Sequence, residues 1–189
     1  IHSFFQLPFS GYIPTADFKN ADNGMYFETK QSITRHFKMP QSKQTVIRNL
    51  ELLVIDEVSM LRADLLDAMN EMLQFVRRSN LPFGGVQLLF IGDLWQLPPV
   101  VRHADWQVMK QFYSGIYFFN AWVMQQTQPV YIELKKIYRQ DDEAFIRLLN
   151  NFRTSNNTPK DYELLEKQVN ENFDTKKNKG YITLTTHNR

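Results

Sequence analysis

Two apolar runs, separated by a long stretch of helical periodicity, set the pattern of this chain. Leu52-Leu53-Val54-Ile55 is rich in branched side chains and bounded by acids, which predicts a strand over 51–55 buried on both faces. Leu61, Leu65, Leu66, Met69, Met72, Leu73 and Val76 then recur at three- and four-residue spacing, predicting an amphipathic helix over 62–78 with its methionines as core filler. Asn80-Leu81-Pro82-Phe83-Gly84-Gly85 breaks it, and Val86 to Ile91 is a second apolar run closed by Gly92-Asp93. Strand, helix and strand over about forty residues form a βαβ unit whose crossover should be right-handed and whose strands should be parallel. Asp56-Glu57 and Gly92-Asp93 should therefore leave the same edge of one sheet.

The flanking pattern is less regular. Residues 1–9 read as a helix start or a strand-exit loop, 10–23 as a long surface loop, and 26–37 fit neither period. Short helices are expected over 43–50, 105–113 and 121–126, with a third strand at Ile116–Phe119 and a fourth at Val130–Leu134. Asp141-Asp142 offers an N-cap to a helix whose core face is Phe145, Leu148, Leu149 and Phe152. A linker at 155–159, a helix over 160–172, a solvated turn over 174–180 and a strand over 181–186 complete the chain. No repeat is present.

Composition narrows the class only slightly. With 189 residues, 43% hydrophobic and 22% charged, the chain suits one globular domain or one and a half. A net charge of +2 is too small to argue for a polyanionic partner, so nucleic-acid binding would need a local groove. The lack of cysteine excludes disulfides and thiolate metal sites and fits an intracellular protein. No apolar run approaches the length of a membrane span and there is no signal peptide. Ile1-His2-Ser3-Phe4-Phe5 opens in an apolar run with no start Met, as in a domain cut through its interior.

Chemistry concentrates at the ends of the two central strands. In open α/β sheets the crevice beyond the carboxyl ends of the strands is the usual ligand site. An apolar run followed by Asp-Glu is the Walker B pattern of nucleotide hydrolases, in which Asp holds Mg²⁺ and Glu orients or deprotonates the attacking water. Taken alone, Asp56-Glu57 fits a surface turn capping the next helix equally well. Asp93 suits a turn acid better than a metal ligand. Trp95 is as suited to packing as to stacking, and Arg139 to pairing with Asp141 or Asp142. His2 could be frayed and inert.

The order of four boxes reverses the readings of Asp56-Glu57 and Arg139. Ile1-His2-Ser3-Phe4-Phe5, Ile55-Asp56-Glu57-Val58-Ser59-Met60, Gly92-Asp93-Leu94-Trp95-Gln96-Leu97-Pro98-Pro99-Val100 and Tyr138-Arg139-Gln140 together resemble the petite-integration-frequency DNA helicases and their RecD relatives, of helicase superfamily one. Leu184 to Arg189 is similar to a further box of the second motor domain. The resemblance implies an α/β fold: residues 1–134 as an incomplete RecA-like P-loop NTPase motor domain, a parallel sheet flanked by helices, and 135–189 as the start of a second. It implies an ATP-dependent helicase that moves on single-stranded DNA and opens forked duplex, in DNA repair, replication and telomere maintenance, with ATP and Mg²⁺ as cofactors of the full-length protein. By the same resemblance Asp56 binds Mg²⁺, Glu57 positions water, Gln96 senses the γ-phosphate and Arg139 is an arginine finger. His2, Ser3, Phe4 or Phe5, Trp95 and Pro98 would line the single-strand groove.

One box is missing. No Gly-x-x-x-x-Gly-Lys-Ser/Thr loop occurs in these residues, so the polypeptide alone should not hydrolyse ATP. Two rival readings remain: a metal-dependent nuclease or phosphohydrolase built on Asp56, Glu57 and Asp93, and a non-enzymatic single-strand-binding module. Unpaired sheet edges would favour a dimer of the chain, and a bacterial cytoplasm is the expected setting.

Overall fold

A single helix organises the larger part of the molecule. In the computed structural model, which describes residues 1–7, 9–20, 26–35, 38–174, 178 and 180–185, helix α4 spans Ala63–Arg77. Leu66, Met69, Met72, Leu73 and Val76 are buried, as their spacing predicts. The polar positions Asp64, Asp67 and Asn70 are buried too. They are not solvated because each holds backbone from another segment: Asp64 accepts from Tyr12 N at 3.1 Å, Asp67 from Trp122 N and Val123 N at 2.9 Å, and Asn70 from Phe83 N at 2.7 Å. Arg62 doubles the first contact with two hydrogen bonds to Asp64, at 2.9 and 2.7 Å.

Around α4 the order is α1 (His2–Phe5), β1 (Gly11–Ile13), β2 (Phe27–Thr29), α2 (Lys30–Arg35), α3 (Gln41–Arg48) and β3 (Leu52–Ile55) before it. β4 (Gln87–Phe90), α5 (His103–Met109) and α6 (Trp122–Gln126) follow it. β3 and β4 pair in parallel, Leu52 opposite Gln87 through Ile55 opposite Phe90, so the βαβ expectation holds. The expected burial of the first strand on both faces does not. Ile55 is buried, but Leu52 and Val54 are 46% and 49% exposed, because the β3–β4 sheet has only these two strands among the described residues.

Four further expectations are corrected. The stretch expected as a surface loop contains β1, wholly buried and parallel to β2. Gly11 lies under the Phe27 ring, where an added Cβ would sit 2.6 Å from it, and Asn20 brackets Phe27 by accepting from its N–H at 2.7 Å and donating to its carbonyl at 3.1 Å. The expected third strand makes only an isolated bridge, Tyr117 to Arg62, and winds into a 3-10 turn over Phe118–Asn120. The fourth, 130–134, forms no strand, finds no ladder partner among the described residues and stays exposed. Residues 181–185 likewise form no strand, while Thr186–Arg189 and much of the 174–180 turn lie outside the described residues.

The chain divides into two compact units, Ile1–Leu134 and Lys135–Arg189. The second holds α7 (Glu143–Arg153), where Asp142 caps the helix as expected by accepting from Ala144 N and Phe145 N at 2.9 and 3.1 Å. Its other helix, α8 (Pro159–Glu166), starts in a Thr158–Asp161 capping box, and Phe152 meets Tyr162 edge-on at 5.7 Å. No helix of the described residues is long and apolar enough to cross a membrane.

Two predictions follow from the packing of α4 and β4. Just past β4, a Cβ at Gly92 would lie 2.9 Å from the Val58 nitrogen, so Gly92→Ala should cost about 1–3 kcal/mol by urea denaturation, and an unchanged midpoint would refute the tight approach. Burial raises Asp67 from the ordinary 3.8 to about 6, against the lowering effect of the Val123 and Trp122 amides. A carboxyl raised on folding contributes stability that is complete below its unfolded value and lost as pH rises through 6. The cost of Asp67→Ala should therefore be larger at pH 4 than at pH 7, by on the order of 1–3 kcal/mol, and the reverse trend in denaturation midpoints would count against the buried carboxyl.

Candidate functional site

Three backbone bonds fix the edge where the acids stand. Ile91 N donates to Ile55 O at 2.9 Å, extending the ladder one residue past β4, and Val58 N donates to Ile91 O at 3.0 Å. Met60 N to Glu57 O, at 3.1 Å, then closes a 3-10 turn over Val58–Met60. The parallel register and this tie bring the ends of β3 and β4 side by side, so Asp56-Glu57 and Gly92-Asp93 do leave one edge. Gly92 is the residue the approach requires, and its role was not visible in the periodicity.

At that edge Asp56 and Glu57 are exposed and take part in no ion pair among the described residues. Asp56 Oδ1 accepts the Glu57 N–H at 2.9 Å. Glu57 itself sits in the left-handed region, at φ 53° and ψ 43°, which costs a non-glycine residue about 1–2 kcal/mol. Such strain persists where the surroundings over-determine it, commonly at functional positions. The Asp56 oxygen not held by the Glu57 amide is a suitable donor for a hard divalent cation. Asp56, Glu57 and Asp93 do not gather into a three-carboxylate metal site; no group of three His, Cys, Asp or Glu does so among the described residues. That removes the main support for the nuclease reading.

The loop after β4 folds back on its own acid. Asp93 accepts from Trp95 N at 3.1 Å through Oδ1 and from Gln96 Nε2 at 3.4 Å through Oδ2, while Gln96 N reaches Asp93 O at 3.0 Å. Asp93 therefore shapes the turn that carries Gln96. Trp95 is 66% exposed, Gln96 and Pro98 are exposed, and Pro99 is the buried anchor of the loop. Trp95 is thus presented and not packed.

The amino-terminal box splits. Phe5 is 1% exposed and belongs to the core, so it has no face to offer a DNA strand; of the pair Phe4 or Phe5, Phe4 remains. His2 stacks on Phe9 with centroids 5.2 Å apart, and its pKa is lowered by burial first, then by the amino terminus and Arg62. Ser3 O accepts from Lys43 Nζ, and Lys43 also lies 5.8 Å over the Phe4 ring. Arg139, in the second unit, is exposed and forms no ion pair with Asp141 or Asp142; the Gln140 side chain accepts from both of those backbone amides instead.

Comparison with known proteins gives the same answer as the boxes. The family model described as PIF1-like helicase matches residues 22–163. The ATP-dependent DNA helicase PIF1 of Candida albicans is 37% identical over 128 residues, 67% of this chain and 14% of that protein. The human PIF1 helicase is 40% identical over 105 residues, 56% of this chain and 15% of that protein. Among solved structures, the Bacteroides Pif1 helicase in complex with ADP-AlF3 and single-stranded DNA matches at TM-score 0.77 and 36% identity, over 91% of this chain and 36% of that chain. Bacteroides Pif1 bound to single-stranded DNA matches at 0.74 and 37%, over 88% and 35%. The chain thus spans a small part of these relatives, and it shares the RecA-like α/β fold of their motor regions. The chain belongs to the PIF1-like helicase family.

Proposed function

We propose that the protein to which these residues belong is an ATP-dependent DNA helicase that couples ATP hydrolysis to movement along single-stranded DNA and opening of forked duplex. The observation that carries this reading is the shared edge of β3 and β4, where the Val58–Ile91 bond sets the exposed acid pair beside the Gln96 loop. Relatives supply the substrates: Bacteroides Pif1 is known with single-stranded DNA and with ADP-AlF3, and a further solved structure concerns unwinding at forked duplex by two coordinating Pif1 helicases. Residues 1–134 form part of a first motor domain and 135–189 the opening of a second.

In this reading Asp56 holds Mg²⁺, which when bound neutralises charge on the phosphates. Glu57 orients the attacking water from its exposed place at this edge. Gln96 reads the terminal phosphate, so that a change there passes through the Asp93 turn to Trp95 and Pro98 on the same loop. Arg139 acts as an arginine finger. His2, Ser3 and Phe4 line the strand path together with Trp95 and Pro98, the aromatic rings stacking on bases. A DNA substrate implies an intracellular setting for this reading. A bacterial cytoplasm is one setting, in line with the Bacteroides structures, while the Candida and human relatives are eukaryotic.

The test uses a longer protein that includes a phosphate loop. DNA-stimulated ATPase activity is expected there, with Glu57→Gln lowering kcat by about 100-fold or more while nucleotide binding persists. The 189-residue polypeptide alone should show none, and robust hydrolysis by it, or a Glu57→Gln protein with normal kcat, would sink the assignment. The exposed stripe of Leu52, Val54, Leu89 and Ile91 also supports self-association of this polypeptide. Light scattering should give a dimer mass at high concentration; a monomer throughout would end that idea.

A further inference from the structure

The far end of α4 carries a feature that the helicase reading leaves unused. A cavity of about 640 Å³ opens there, between α2, α3 and the turn that follows α4. Lys30, Arg48 and Arg78 line it together with the acid Glu71 and with Phe75, Ser79 and Asn80. β3 ends at the acid edge and α4 runs back from it, and the cavity is lined by the turn beyond that helix and by its second half, from Glu71 on, which begins roughly 12 Å along the axis from Ala63. It is a separate place from the nucleotide crevice.

The three cations are not equivalent. Lys30 is paired with Glu71 at 3.3 Å, and the salt bridge largely neutralises it. Arg48 is fixed in place, donating through Nε to Val76 O at 3.2 Å and through one terminal nitrogen to Gln44 Oε1 at 3.1 Å, which leaves its other terminal nitrogen unspent. Arg78 makes no side-chain hydrogen bond or ion pair among the described residues, and its backbone is left-handed at φ 53°. That conformation terminates α4, with Arg78 N donating to Phe75 O and Ser79 N to Gln74 O. Two carbonyls at the helix end are thus satisfied by backbone amides and a third, Val76 O, by Arg48, and none of the three draws on the Arg78 guanidinium. Two guanidiniums then share one cavity with the hydroxyl of Ser79 and the amide of Asn80, and the Phe75 ring, 47% exposed, is part of the wall.

Two guanidiniums lining one cavity with small polar donors suit phosphate oxygens, and an aromatic side chain in the wall is compatible with a base or sugar. The volume is in the range of small-ligand sites. We propose that this cavity binds a phosphate ester of the nucleotide class, with Arg48 and Arg78 on the phosphate, as a second contact for nucleic acid away from the motor crevice. A strand is the favoured source, since Arg48, Arg78 and Asn80 on the cavity wall are exposed to solvent. A free mononucleotide has the same chemistry, and the experiment separates the two.

The full 189-residue chain, ¹⁵N-labelled, is titrated with inorganic phosphate, 5′-AMP and a short oligothymidylate. Saturable shifts at the Arg78, Ser79 and Asn80 amides are expected, weakened about tenfold or more in Arg78→Glu and retained in Arg78→Lys. Tighter binding of oligothymidylate than of AMP, with a salt dependence that falls by about one ion in the Arg78→Glu protein, identifies a strand. Equal affinities identify the mononucleotide. Absence of shifts at these amides, or shifts indifferent to Arg78→Glu in a protein whose spectrum shows it folded, overturns the proposal. None of these outcomes depends on ATP hydrolysis, so failure here and failure of the helicase reading are distinguishable.

Discussion

Buried backbone must be hydrogen-bonded, and in the larger unit that demand is met from the polar side of α4. Asp64, Asp67, Asn70, Gln74 and Arg77 recur at three- and four-residue spacing, and each engages main chain from another segment. Arg77 alone donates to the carbonyls of Gly84, Ile47, Arg48 and Leu50, at 2.7 to 3.0 Å. The segments so held are too short to satisfy themselves: three residues of β1, the start of α6, the turn at 80–84 and the exit of α3. A net hydrogen bond contributes about 1 kcal/mol, but an orphaned buried partner costs about 1–3 kcal/mol. The polar side of α4 is therefore as structural as its apolar side.

This explains which parts of the fold could be read from the residues. The βαβ unit was legible because α4 is long and its apolar spacing is clean. The Asp142 cap was legible because its chemistry is local. β1 and β2 were not, since three residues give no measurable alternation and their stability comes from Asp64 and Asn20, which are distant in sequence or hidden in a polar loop. The errors at 116–119 and 130–134 have a common cause. Short apolar runs have strand propensity, but a strand exists only where a neighbour completes its ladder, and Val130, Ile132 and Leu134 meet none among the described residues.

The candidate site divides along the same line. The acids, Gln96 and Trp95 could be placed on one edge because strand direction follows from connectivity. Phe4 and Phe5 could not be told apart, as adjacent aromatics on one turn of helix point to different surroundings; only packing shows that Phe5 is core. The left-handed Glu57 and the close approach at Gly92 leave no periodic trace at all. Each is a backbone constraint imposed by the other strand.

Those two constraints belong together. A left-handed Glu57 is unfavourable by about 1–2 kcal/mol in isolation, so an unconstrained chain would relax it. Relaxation is opposed because Val58, the next residue, is tied to Ile91 O and buried, and Leu61 is buried three residues on. Gly92 permits the two tips to approach closely enough for the tie to form. A side chain at 92 would push Val58 away, break the tie and free Glu57 to adopt the ordinary right-handed turn. The carboxylate would then leave the edge it shares with the Gln96 loop. The conformation of the acid is thus set by a glycine just past the neighbouring strand, and the stability of the sheet and the placement of the acid are joined at that point.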